Sequence, residues 1–583
     1  MKLLPLSLIL SSLSLSVFAD ATTHRETREP EAATGFAFQT EAKSNDYMVV
    51  AANPHASRAG QWVLSQGGSA VDAAIATQLV LTLVEPQSSG IGGGAFILYY
   101  DKSSKKMMSI DGRETAPSEA GPDLFLDETG KPARWIDAVV GGRSVGVPGV
   151  LKAFAEAHKK YGKLPWATLF KPAIHLAETG FLVSPRLHSL LEKRLNPGAY
   201  ELEPSKSYFY PHGEALATGT LRTNPDLANL YKKIAQEGVS AFYEGENAEK
   251  LVKAVRESAV SPGKLSLQDL KDYTPKWREP ICVEYKLYNV CSMAPPSSGG
   301  IAVLQMLKLL ENKHMENYAP NDVMALHYFT QASRLAFADR DFYVADPDFV
   351  EVPTTALLQT PYLKERASLI QDKDVKDYPV GVPVQGLARA KDDAYELPST
   401  SHMSIIDKEG NALSMTTSIE MAFGSTVMVN GYLLNNQLTD FALSPEINGK
   451  LVANRVEAGK RPRSSMSPVM VFNKDGSLKL LVGSPGGSRI INYVAQTVIA
   501  VLDWKMTPQQ AINLPRITNR NKYTTLERGT PLENYVEQFE KLGHEVKVLD
   551  LNSGLHAIEV TKDGYLGGAD PRREGVALGE SSL

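Results

Sequence analysis

Three hairpin-like segments in the C-terminal part of this chain require a layered sheet. They are HMSIIDKEGNALSMTTSI (402–419), PVMVFNKDGSLKLLVG (468–483) and LHAIEVTKDGYLGG (555–568). In each, apolar and polar residues alternate on both sides of a turn that contains Gly with Asp or Lys, which is typical of a β-hairpin. A buried helix, INYVAQTVIAVLDW (491–504), is predicted between the second and third segments. A sheet with such a helix beside it buries its apolar face against another layer.

The N-terminal part of the chain is predicted to be mainly helical up to about residue 370. The stretch HASRAGQWVLSQGGSAVDAAIATQLVLTLVEP (55–86) indicates two helices separated by Gly67 and Gly68, with Ser69 as a candidate N-cap. Strand pairs interrupt the helices near residues 95–111 and 281–293. Because both parts of the chain combine strands with packing helices, the sequence predicts an α+β architecture. A length of 583 residues and a hydrophobic content of 43% are sufficient for a large buried core.

The first twenty residues, MKLLPLSLILSSLSLSVFAD, have the features of an export signal. Lys2 precedes an apolar stretch too short to span a bilayer, and Ala19 lies where signal peptidase accepts a small residue. We therefore predict a signal peptide over 1–19, a flexible leader over 20–45, and a periplasmic or secreted protein. No later run of about 18 uncharged apolar residues occurs, so no membrane span is expected.

Two cysteines, Cys282 and Cys291, lie in the stretch PICVEYKLYNVCSM. The alternating apolar residues predict a hairpin centred on Lys286 and Leu287, which places the cysteines opposite each other. Because an exported protein meets an oxidising compartment, we predict a disulfide between them. Two free buried thiols are the alternative.

The charge balance points to small-molecule partners. A net charge of −5 and a pI near 6.2 provide no basic field for nucleic acid. The histidines and the two cysteines show no spacing typical of a zinc or iron site. We therefore predict no nucleic-acid partner, no metal site and no cofactor.

Three glycine-containing motifs allow a functional and a structural interpretation. GRSVG (142–146) fits the nucleophile elbow of serine hydrolases around Ser144, if RWIDAVVG before it is a strand. GIGGGA (90–95) lacks the strand-then-helix order of a dinucleotide site, so a tight turn that lets backbones approach is expected. GSPGG (483–487) joins a strand to a long helix, where exposed N–H groups can bind an anion or an oxyanion. A simple turn is the alternative for this third motif.

Several longer segments together resemble the γ-glutamyltransferases (γ-glutamyltranspeptidases). In the C-terminal part they are TSHMSIIDKEGNALSMTTSIEMAFGS, GYLLNNQLTDFA, KRPRSSMSPVMVF and GSPGGSRII; upstream they are GGSAVDAAIATQLVLTLVEPQSSGIGGGAF, DGRETAP and PPSSGGIAV. The resemblance runs from about residue 48 to the C-terminus. It implies a four-layer αββα sandwich of the N-terminal-nucleophile hydrolase type, built from the large and small subunits of one self-cleaved precursor.

The resemblance places the self-cleavage between Ser399 and Thr400. The large subunit then covers 46–399, with a loose surface segment at 371–399, and the small subunit covers 400–583. The small subunit has 583 − 399 = 184 residues. Cleavage frees an α-amino group, with a reference pKa of about 7.7 to 8.0, next to the hydroxyl of the same residue. Thr400 can therefore supply both the nucleophile and the base.

The resemblance also assigns roles to individual residues. Thr400 matches the nucleophile that attacks the γ-amide of glutathione or another γ-glutamyl compound, and Ser418 matches a hydroxyl that hydrogen-bonds it. Gly486 and Gly487 match the donors to the oxyanion. The substrate-binding residues are, for the α-carboxylate, Arg113, Ser464 and Ser465, and, for the α-ammonium group, Glu420, Gln437 and Asp440. Water, amino acids or peptides are the implied acceptors, and the two subunits form a heterodimer.

One departure concerns the segment after Asp440. Residues 442–462 contain no tyrosine or phenylalanine, whereas members with a lid place an aromatic residue over the pocket from about this region. We therefore expect a more open pocket, which admits larger acyl groups or favours water as the acceptor.

Three other functions remain as alternatives. A glutaryl-cephalosporin acylase would use the same mechanism on an acyl group without an α-amino group, and the retained Asp440 and Glu420 argue against it. An exported binding protein without catalysis is disfavoured by the intact Thr400 and glycine pair. A serine hydrolase would use Ser144.

Overall fold

Two seven-stranded antiparallel sheets pack face to face between layers of helices in the computed structural model of this chain. The structure describes residues 35–580 except 393, 395, 397 and 398. The predicted signal peptide and the first part of the predicted leader, up to residue 34, lie outside the described residues.

The strands are numbered in chain order. They are β1 (Ala42–Ser44), β2 (Met48–Ala51), β3 (Gly94–Asp101), β4 (Lys106–Gly112), β5 (Phe181–Leu182), β6 (Leu221–Arg222), β7 (Lys276–Arg278), β8 (Ile281–Tyr285), β9 (Tyr288–Ser292), β10 (Thr400–Ile406), β11 (Ala412–Ser418), β12 (Met428–Val429), β13 (Tyr432–Leu433), β14 (Glu446–Ile447), β15 (Lys450–Leu451), β16 (Val469–Asn473), β17 (Leu478–Gly483), β18 (Ile517–Asn519), β19 (Thr524–Glu527), β20 (Val546–Leu549), β21 (His556–Thr561), β22 (Gly564–Ala569) and β23 (Val576–Gly579).

The α-helices are numbered in the same way. They are α1 (Pro54–Ser65), α2 (Ala70–Val84), α3 (Trp135–Val139), α4 (Val150–Tyr161), α5 (Lys171–Thr179), α6 (Pro185–Glu192), α7 (Gly198–Glu201), α8 (Ser205–Phe209), α9 (Pro225–Glu237), α10 (Ser240–Tyr243), α11 (Gly245–Arg256), α12 (Leu267–Asp272), α13 (Ser298–Leu310), α14 (Val323–Tyr343), α15 (Thr354–Leu357), α16 (Thr360–Ala367), α17 (Ile490–Leu502), α18 (Pro508–Asn513) and α19 (Val536–Lys541).

Each large sheet combines strands from both sides of the predicted cleavage point. Sheet 1 has the order β1-β22-β21-β17-β16-β9-β8, and sheet 2 has the order β23-β2-β10-β11-β3-β4-β7. Strand β10, which begins at Thr400, lies inside sheet 2 between β2 and β11. The parts of the chain before and after residue 400 therefore share both sheets.

Alternating side chains on sheet 2 explain the four layers. Met48 and Val50 belong to the core shared with sheet 1, whereas Val49 and Ala51 belong to the core shared with α1, α2 and α4. Successive side chains of a strand point to opposite faces, so both faces of this sheet are buried. Sheet 1 packs its other face on α13, α14 and α17. The predicted αββα arrangement is confirmed.

Local signals placed several of the regular elements correctly. The three C-terminal hairpins are β10–β11, β16–β17 and β21–β22, and the helix between the last two is α17. Ser69 caps α2 as predicted, in a capping box in which the Asp72 N–H donates to Ser69 Oγ at 3.1 Å and Ser69 N–H donates back to Asp72 Oδ2 at 2.9 Å.

The hairpin predicted around Lys286 and Leu287 is also confirmed. Strands β8 and β9 are antiparallel, with Cys282 opposite Cys291. The two Cα atoms are 4.1 Å apart and a disulfide joins the side chains. Lys286 has a φ of 54° at the turn. Its Nζ lies 2.8 Å from Asp503 Oδ1, an ion pair that helps to hold this unusual turn residue in place.

One local expectation was wrong, one open alternative is excluded, and one expectation was only partly right. Ala42–Ser44, assigned to the flexible leader, forms the edge strand β1 and pairs with β22. RWIDAVVG is not a strand before Ser144, because Trp135–Val139 is helical and Ser144 Oγ is buried and donates to Val139 O at 3.1 Å. The described residues of 371–399 contain no helix or strand, but the end of this segment is not on the surface, since Glu396 and Ser399 are buried.

Candidate active site

Thr400 is fixed by its place at the start of an internal strand. It lies directly opposite Ser418, the last residue of β11, and both side chains are buried. Its carbonyl oxygen accepts a hydrogen bond from Arg573 Nη1 at 3.2 Å. The sheet therefore holds the backbone on the C-terminal side of the predicted scissile bond.

A chain of hydroxyl groups connects Thr400 to the carbonyl group that precedes it. Thr400 Oγ1 donates to Ser418 Oγ at 3.3 Å, and Ser418 Oγ donates to the Ser399 carbonyl oxygen at 3.0 Å. The Glu420 N–H donates to Ser418 Oγ at 2.8 Å. A serine hydroxyl has one proton and two lone pairs, so the Ser418 proton is directed to the Ser399 carbonyl oxygen. In the predicted self-cleavage, Ser418 could accept the Thr400 proton and polarise the Ser399 carbonyl group.

The glycine turn at residues 90–95 allows the backbone around Ser418 to come close. A Cβ on Gly93 would lie 2.1 Å from Ser418 O, and a Cβ on Gly92 would lie 2.1 Å from Leu433 O. Only glycine fits at such distances. The expected structural role of this turn is confirmed, and the turn also positions the end of β11. On the other side, Ser399 Oγ donates to Gln87 O.

A small cavity of about 20 Å³ joins Thr400, the predicted nucleophile, to the predicted substrate-binding groups. Of the residues proposed from the sequence, those that line it are Arg113, Thr400, Ser418, Glu420, Gln437, Asp440, Ser464, Ser465 and Gly487. Glu396, Met466 and Ile490 complete the lining. Gly486 is not part of the lining, although it adjoins Gly487.

Arg113 and Asp440 form a buried ion pair in this cavity. Arg113 Nη2 lies 2.5 Å from Asp440 Oδ2 and donates to Arg463 O at 2.9 Å. Burial alone lowers the pKa of Arg113, but Asp440 and Glu114 outweigh it and raise that pKa overall. Burial also raises the pKa of Asp440 to about 6; the Arg113 guanidinium opposes this rise, and the Glu396 carboxylate adds to it.

A second carboxyl group, Glu114, lies farther from Arg113 than Asp440 does. Glu114 Oε2 is 3.8 Å from Arg113 Nη1, whereas Asp440 Oδ2 is 2.5 Å from Arg113 Nη2. Burial raises the pKa of Glu114 to about 8, with Arg113 opposing the rise. Asp440, which lines the cavity, is therefore the closer partner of Arg113.

The remaining groups predicted to bind the ammonium surround Asp440. Gln437 Nε2 donates to Asp440 Oδ2 at 2.7 Å, within a 3₁₀ turn formed by Gln437–Asp440. Glu420 is buried and has a φ of 80°, which is costly for a residue with a side chain. Strain of this kind is concentrated at functional sites, where neighbouring structure enforces it.

Ser464 and Ser465 have other partners in the uncleaved chain. Ser465 Oγ accepts from Arg340 Nη2 at 2.8 Å, and Ser464 Oγ accepts from the Met466 N–H at 3.1 Å. Both serines nevertheless line the cavity beside Arg113, because the Arg113 guanidinium binds the carbonyl oxygens of the two residues before them.

The glycine pair lies between β17 and α17. Gly486 and Gly487 have φ values of 136° and 56°, in the region that favours glycine. A Cβ on Gly486 would also lie 2.7 Å from Tyr493 Cε2. The turn places the N-terminal end of a 13-residue helix beside the cavity, where its N–H groups and dipole favour developing negative charge.

Glu396, which lines the cavity, and its buried partners Arg340 and Arg463 were not found from the sequence. Glu396 accepts hydrogen bonds from Arg340 Nη2 and, at 3.2 Å, from Arg463 Nε. These residues come from separate segments of the chain and form no motif of fixed spacing. Arg463 lies within the motif KRPRSSMSP, next to the predicted substrate-binding residues Ser464 and Ser465. This position was the one signal in the sequence that could have identified Arg463 as a site residue.

Residues 442–462 do not contribute to the cavity lining. They contain the β14–β15 hairpin, and Val452 forms a bridge with Ala390 of the loose segment. Asn454 Nδ2 donates to Asp392 Oδ2 at 2.8 Å and to Asp440 O at 2.7 Å. The segment therefore packs on the residues that precede the cleavage point. An open pocket in the processed enzyme stays a prediction.

In the described part of the chain, the His, Cys, Asp and Glu side chains do not form a group of three or more that could hold a metal ion. No helix there has the length and apolar character needed to cross a membrane.

Ser418→Ala is expected to slow the predicted self-cleavage strongly. The variant loses the donor to the Ser399 carbonyl oxygen, and loss of one such donor typically costs on the order of 100- to 1,000-fold in rate. Ser418→Thr keeps the hydroxyl and should retain most of the rate. Conversion of the full-length band into two bands on a denaturing gel measures the effect. Cleavage of Ser418→Ala at the wild-type rate would contradict this role.

Comparison with known proteins places this site in a family. The chain is 38% identical over 552 residues to the glutathione hydrolase proenzyme of Bacillus subtilis (strain 168), covering 92% of this chain and 91% of that protein. It is 36% identical over 535 residues to the glutathione hydrolase proenzyme of Escherichia coli (strain K12), covering 90% of each. The solved structure of cephalosporin acylase from Bacillus halodurans has a TM-score of 0.82 and 28% identity, over 94% of this chain and 99% of that chain.

The family model of gamma-glutamyltranspeptidase matches residues 56–580, which include both large sheets almost completely and every residue that lines the cavity. With such a match and relatives of this identity along nine tenths of its length, the chain belongs to the gamma-glutamyltranspeptidase family.

Proposed function

We propose that this protein is a self-cleaving γ-glutamyl hydrolase and transferase that acts on glutathione and related γ-glutamyl compounds. One observation carries the proposal: the Thr400 hydroxyl, hydrogen-bonded to Ser418, shares one buried cavity with the Arg113–Asp440 pair. The nucleophile is thereby joined to the two charges that an amino acid's carboxylate and ammonium groups require. The glutathione hydrolase proenzymes that it resembles support the choice of donor.

Self-cleavage begins with attack of Thr400 Oγ1 on the carbonyl carbon of Ser399. The proton of Thr400 passes to Ser418 Oγ, while the Ser418 proton moves toward the carbonyl oxygen. When the intermediate collapses, the C–N bond breaks and the amide nitrogen takes up a proton. The product is an ester of Ser399 on Thr400 Oγ1. Water hydrolyses this ester and leaves a Ser399 carboxylate and a free Thr400 α-amino group.

Acyl transfer then uses the new α-amino group as the general base. It accepts the proton of Thr400 Oγ1 as this oxygen attacks the γ-carbonyl carbon of the donor. The N–H groups of Gly486 and Gly487 stabilise the oxyanion at the N-terminal end of α17. The leaving amine takes a proton and departs, which leaves a γ-glutamyl ester on Thr400. Water, an amino acid or a peptide then attacks the ester.

Binding of the donor replaces the ion pair between Arg113 and Asp440 with two ion pairs between the protein and the donor. The α-carboxylate of the donor binds Arg113, Ser464 and Ser465. Its α-ammonium group binds Asp440, with Gln437 and Glu420 beside it. Removing one partner from a buried charge costs about 3 to 5 kcal/mol, so a donor that partners both charges is strongly favoured over one that partners only one.

The two products of cleavage are proposed to stay together as a heterodimer. In sheet 2, strands from opposite sides of residue 400 pair directly, β2 with β10 and β3 with β11, and sheet 1 also contains strands from both parts. Cutting one bond at the start of β10 leaves these pairings between the two parts in place. We also propose export, with removal of 1–19 after Ala19, on the basis of the N-terminal sequence.

A γ-glutamyl anilide should be turned over at least about 100-fold faster than the matching glutaryl anilide, because an unpaired buried Asp440 costs about 3 kcal/mol or more. This comparison separates the proposal from the acylase alternative. The acylase alternative is supported by the structural similarity to a cephalosporin acylase. Both substrates release the same chromophore, so kcat/KM can be compared directly in one assay. A preference for the glutaryl compound would overturn the proposed function.

A further inference from the structure

Glu396 lies in the substrate cavity although it belongs to the segment that precedes the cleavage point. Its side chain is buried and lines the same cavity as Thr400, Ser464 and Ser465. It is four residues before the nucleophile in the sequence. A carboxylate in this position has no role in the acyl-transfer steps described above.

The contacts of Glu396 match those expected for a bound carboxylate. Its Oε1 accepts from Arg340 Nη2 and from Arg463 Nε at 3.2 Å, and the same Arg340 Nη2 donates to Ser465 Oγ at 2.8 Å. Burial alone would raise the pKa of Glu396, but Arg340 and Arg463, aided by Ser465 and Arg113, lower it below its ordinary value. The group is therefore ionised and firmly held.

Ser465 connects the two carboxylates. In the proposed function it binds the α-carboxylate of the donor, and in the uncleaved chain Arg340 Nη2 donates both to Ser465 Oγ and to Glu396 Oε1. Arg113, the other main group of that subsite, is close enough to Glu396 to lower its pKa. A donor carboxylate and Glu396 cannot occupy this small cavity together.

We propose that Glu396 is a positioning residue for self-cleavage, whose carboxylate occupies the donor-carboxylate subsite until the chain is cut. The inference rests on the proposed function for the identity of that subsite. The Glu396 carboxylate anchors the segment on one side of Ser399, and the Ser399 Oγ bond to Gln87 O anchors Ser399 itself. Together they hold the scissile carbonyl carbon beside Thr400 Oγ1, as a positioned intramolecular reactant requires.

The same arrangement makes the uncleaved chain unable to bind its donor. The Glu396 side chain must leave the cavity before a donor carboxylate can enter. Cleavage at Ser399–Thr400 frees the end of this segment, so maturation both creates the α-amino base and opens the subsite.

Glu396→Gln in the full-length chain tests the positioning role. The substitution keeps the shape and removes the charge, and we expect self-cleavage to be about 10- to 100-fold slower, as for a misplaced reactant. Glu396→Asp, which keeps a shorter carboxylate, should cleave at an intermediate rate. Glu365→Gln, at an exposed position of α16, is the matched control and should cleave like the wild type. Cleavage of Glu396→Gln at the wild-type rate would overturn the proposal.

If the Glu396 variants fold poorly and their cleavage rates cannot be compared, the affinity for L-glutamate provides a second test of the proposal. In the uncleavable Thr400→Ala background, calorimetry compares L-glutamate binding with and without Glu396→Ala. We expect the double variant to bind at least about 10-fold more tightly, since its subsite is empty. Equal affinity would overturn the occupied-subsite proposal. If γ-glutamyl turnover were absent from processed wild-type enzyme, the proposed function would fail, whereas the cleavage rates would still report on Glu396.

Discussion

Thr400→Ala is expected to remain a single uncut chain without measurable γ-glutamyl turnover. The variant lacks the only oxygen that can attack the Ser399 carbonyl in the proposed mechanism, and removal of a catalytic nucleophile typically lowers kcat by about 10,000-fold or more. The wild type should give a large chain and a small chain of 583 − 399 = 184 residues. A denaturing gel and a γ-glutamyl anilide assay measure both effects. The mass of the large chain also reports whether residues 1–19 have been removed.

Two controls make the result specific. Thr400→Ser keeps a hydroxyl and should still cleave, although more slowly. Ser144→Ala removes the hydroxyl used by the alternative serine hydrolase and should be fully active, because the Ser144 hydroxyl is buried and donates to Val139 O. Activity that survives Thr400→Ala and is lost in Ser144→Ala would reverse the assignment. Consumption of glutathione by a wholly uncut wild type would also exclude the proposed base.

Asp440→Asn should lower kcat/KM for a γ-glutamyl anilide by on the order of 100- to 1,000-fold, because a buried charge left without its partner costs about 3 to 5 kcal/mol. The loss should be much smaller for the glutaryl anilide, which has no ammonium group for Asp440 to bind. The ratio of the two kcat/KM values therefore measures the role of Asp440 independently of any change in stability. Asp475→Asn, at an exposed turn, is the matched control.

The pH dependence gives a second test of Asp440. In the proposed mechanism the ionised carboxylate binds the donor. Burial raises its pKa to about 6 in the uncleaved chain, where the Glu396 carboxylate adds to the rise, so departure of Glu396 should bring the pKa of Asp440 below that value in the processed enzyme. The Thr400 α-amino group must also be unprotonated, with a reference pKa of about 7.7 to 8.0. The slope of log kcat/KM against pH should be about one just below pH 7.5 and should rise to about two at more acidic pH, below pH 6, as Asp440 is protonated. In Asp440→Asn the slope should stay near one at acidic pH. If the slope of the variant still rose to two, the second protonation would belong to a group other than Asp440.

The regular elements could be predicted where the signals are local. Alternation around a glycine turn identified all three C-terminal hairpins, and Ser69 with Asp72 marked the start of α2. The short apolar run before Ser144 was ambiguous, since five residues fit a helical turn or a strand equally well. Strand β1 could not be predicted, because it depends on pairing with β22 at the other end of the chain.

The residues of the candidate site also fall into those that local sequence motifs reveal and those that depend on long-range contacts. Thr400, Asp440 and Arg113 lie in motifs that could be found by their order along the chain. Glu396 and Arg340 could not be found, because their ion pair joins residues 56 positions apart that belong to no shared pattern. Buried charges are paired for energetic reasons, but the sequence does not tell which charges meet.

Because strands from both sides of residue 400 are mixed in the two sheets, the proposed cleavage should make unfolding of the protein irreversible. Before the cut, one continuous chain can direct β10 into its place between β2 and β11. Afterwards two separate polypeptides would have to find each other and interleave again in both sheets. Once heated past its transition, the mature enzyme should therefore aggregate rather than recover, and its working lifetime should be governed by an unfolding rate rather than by an equilibrium.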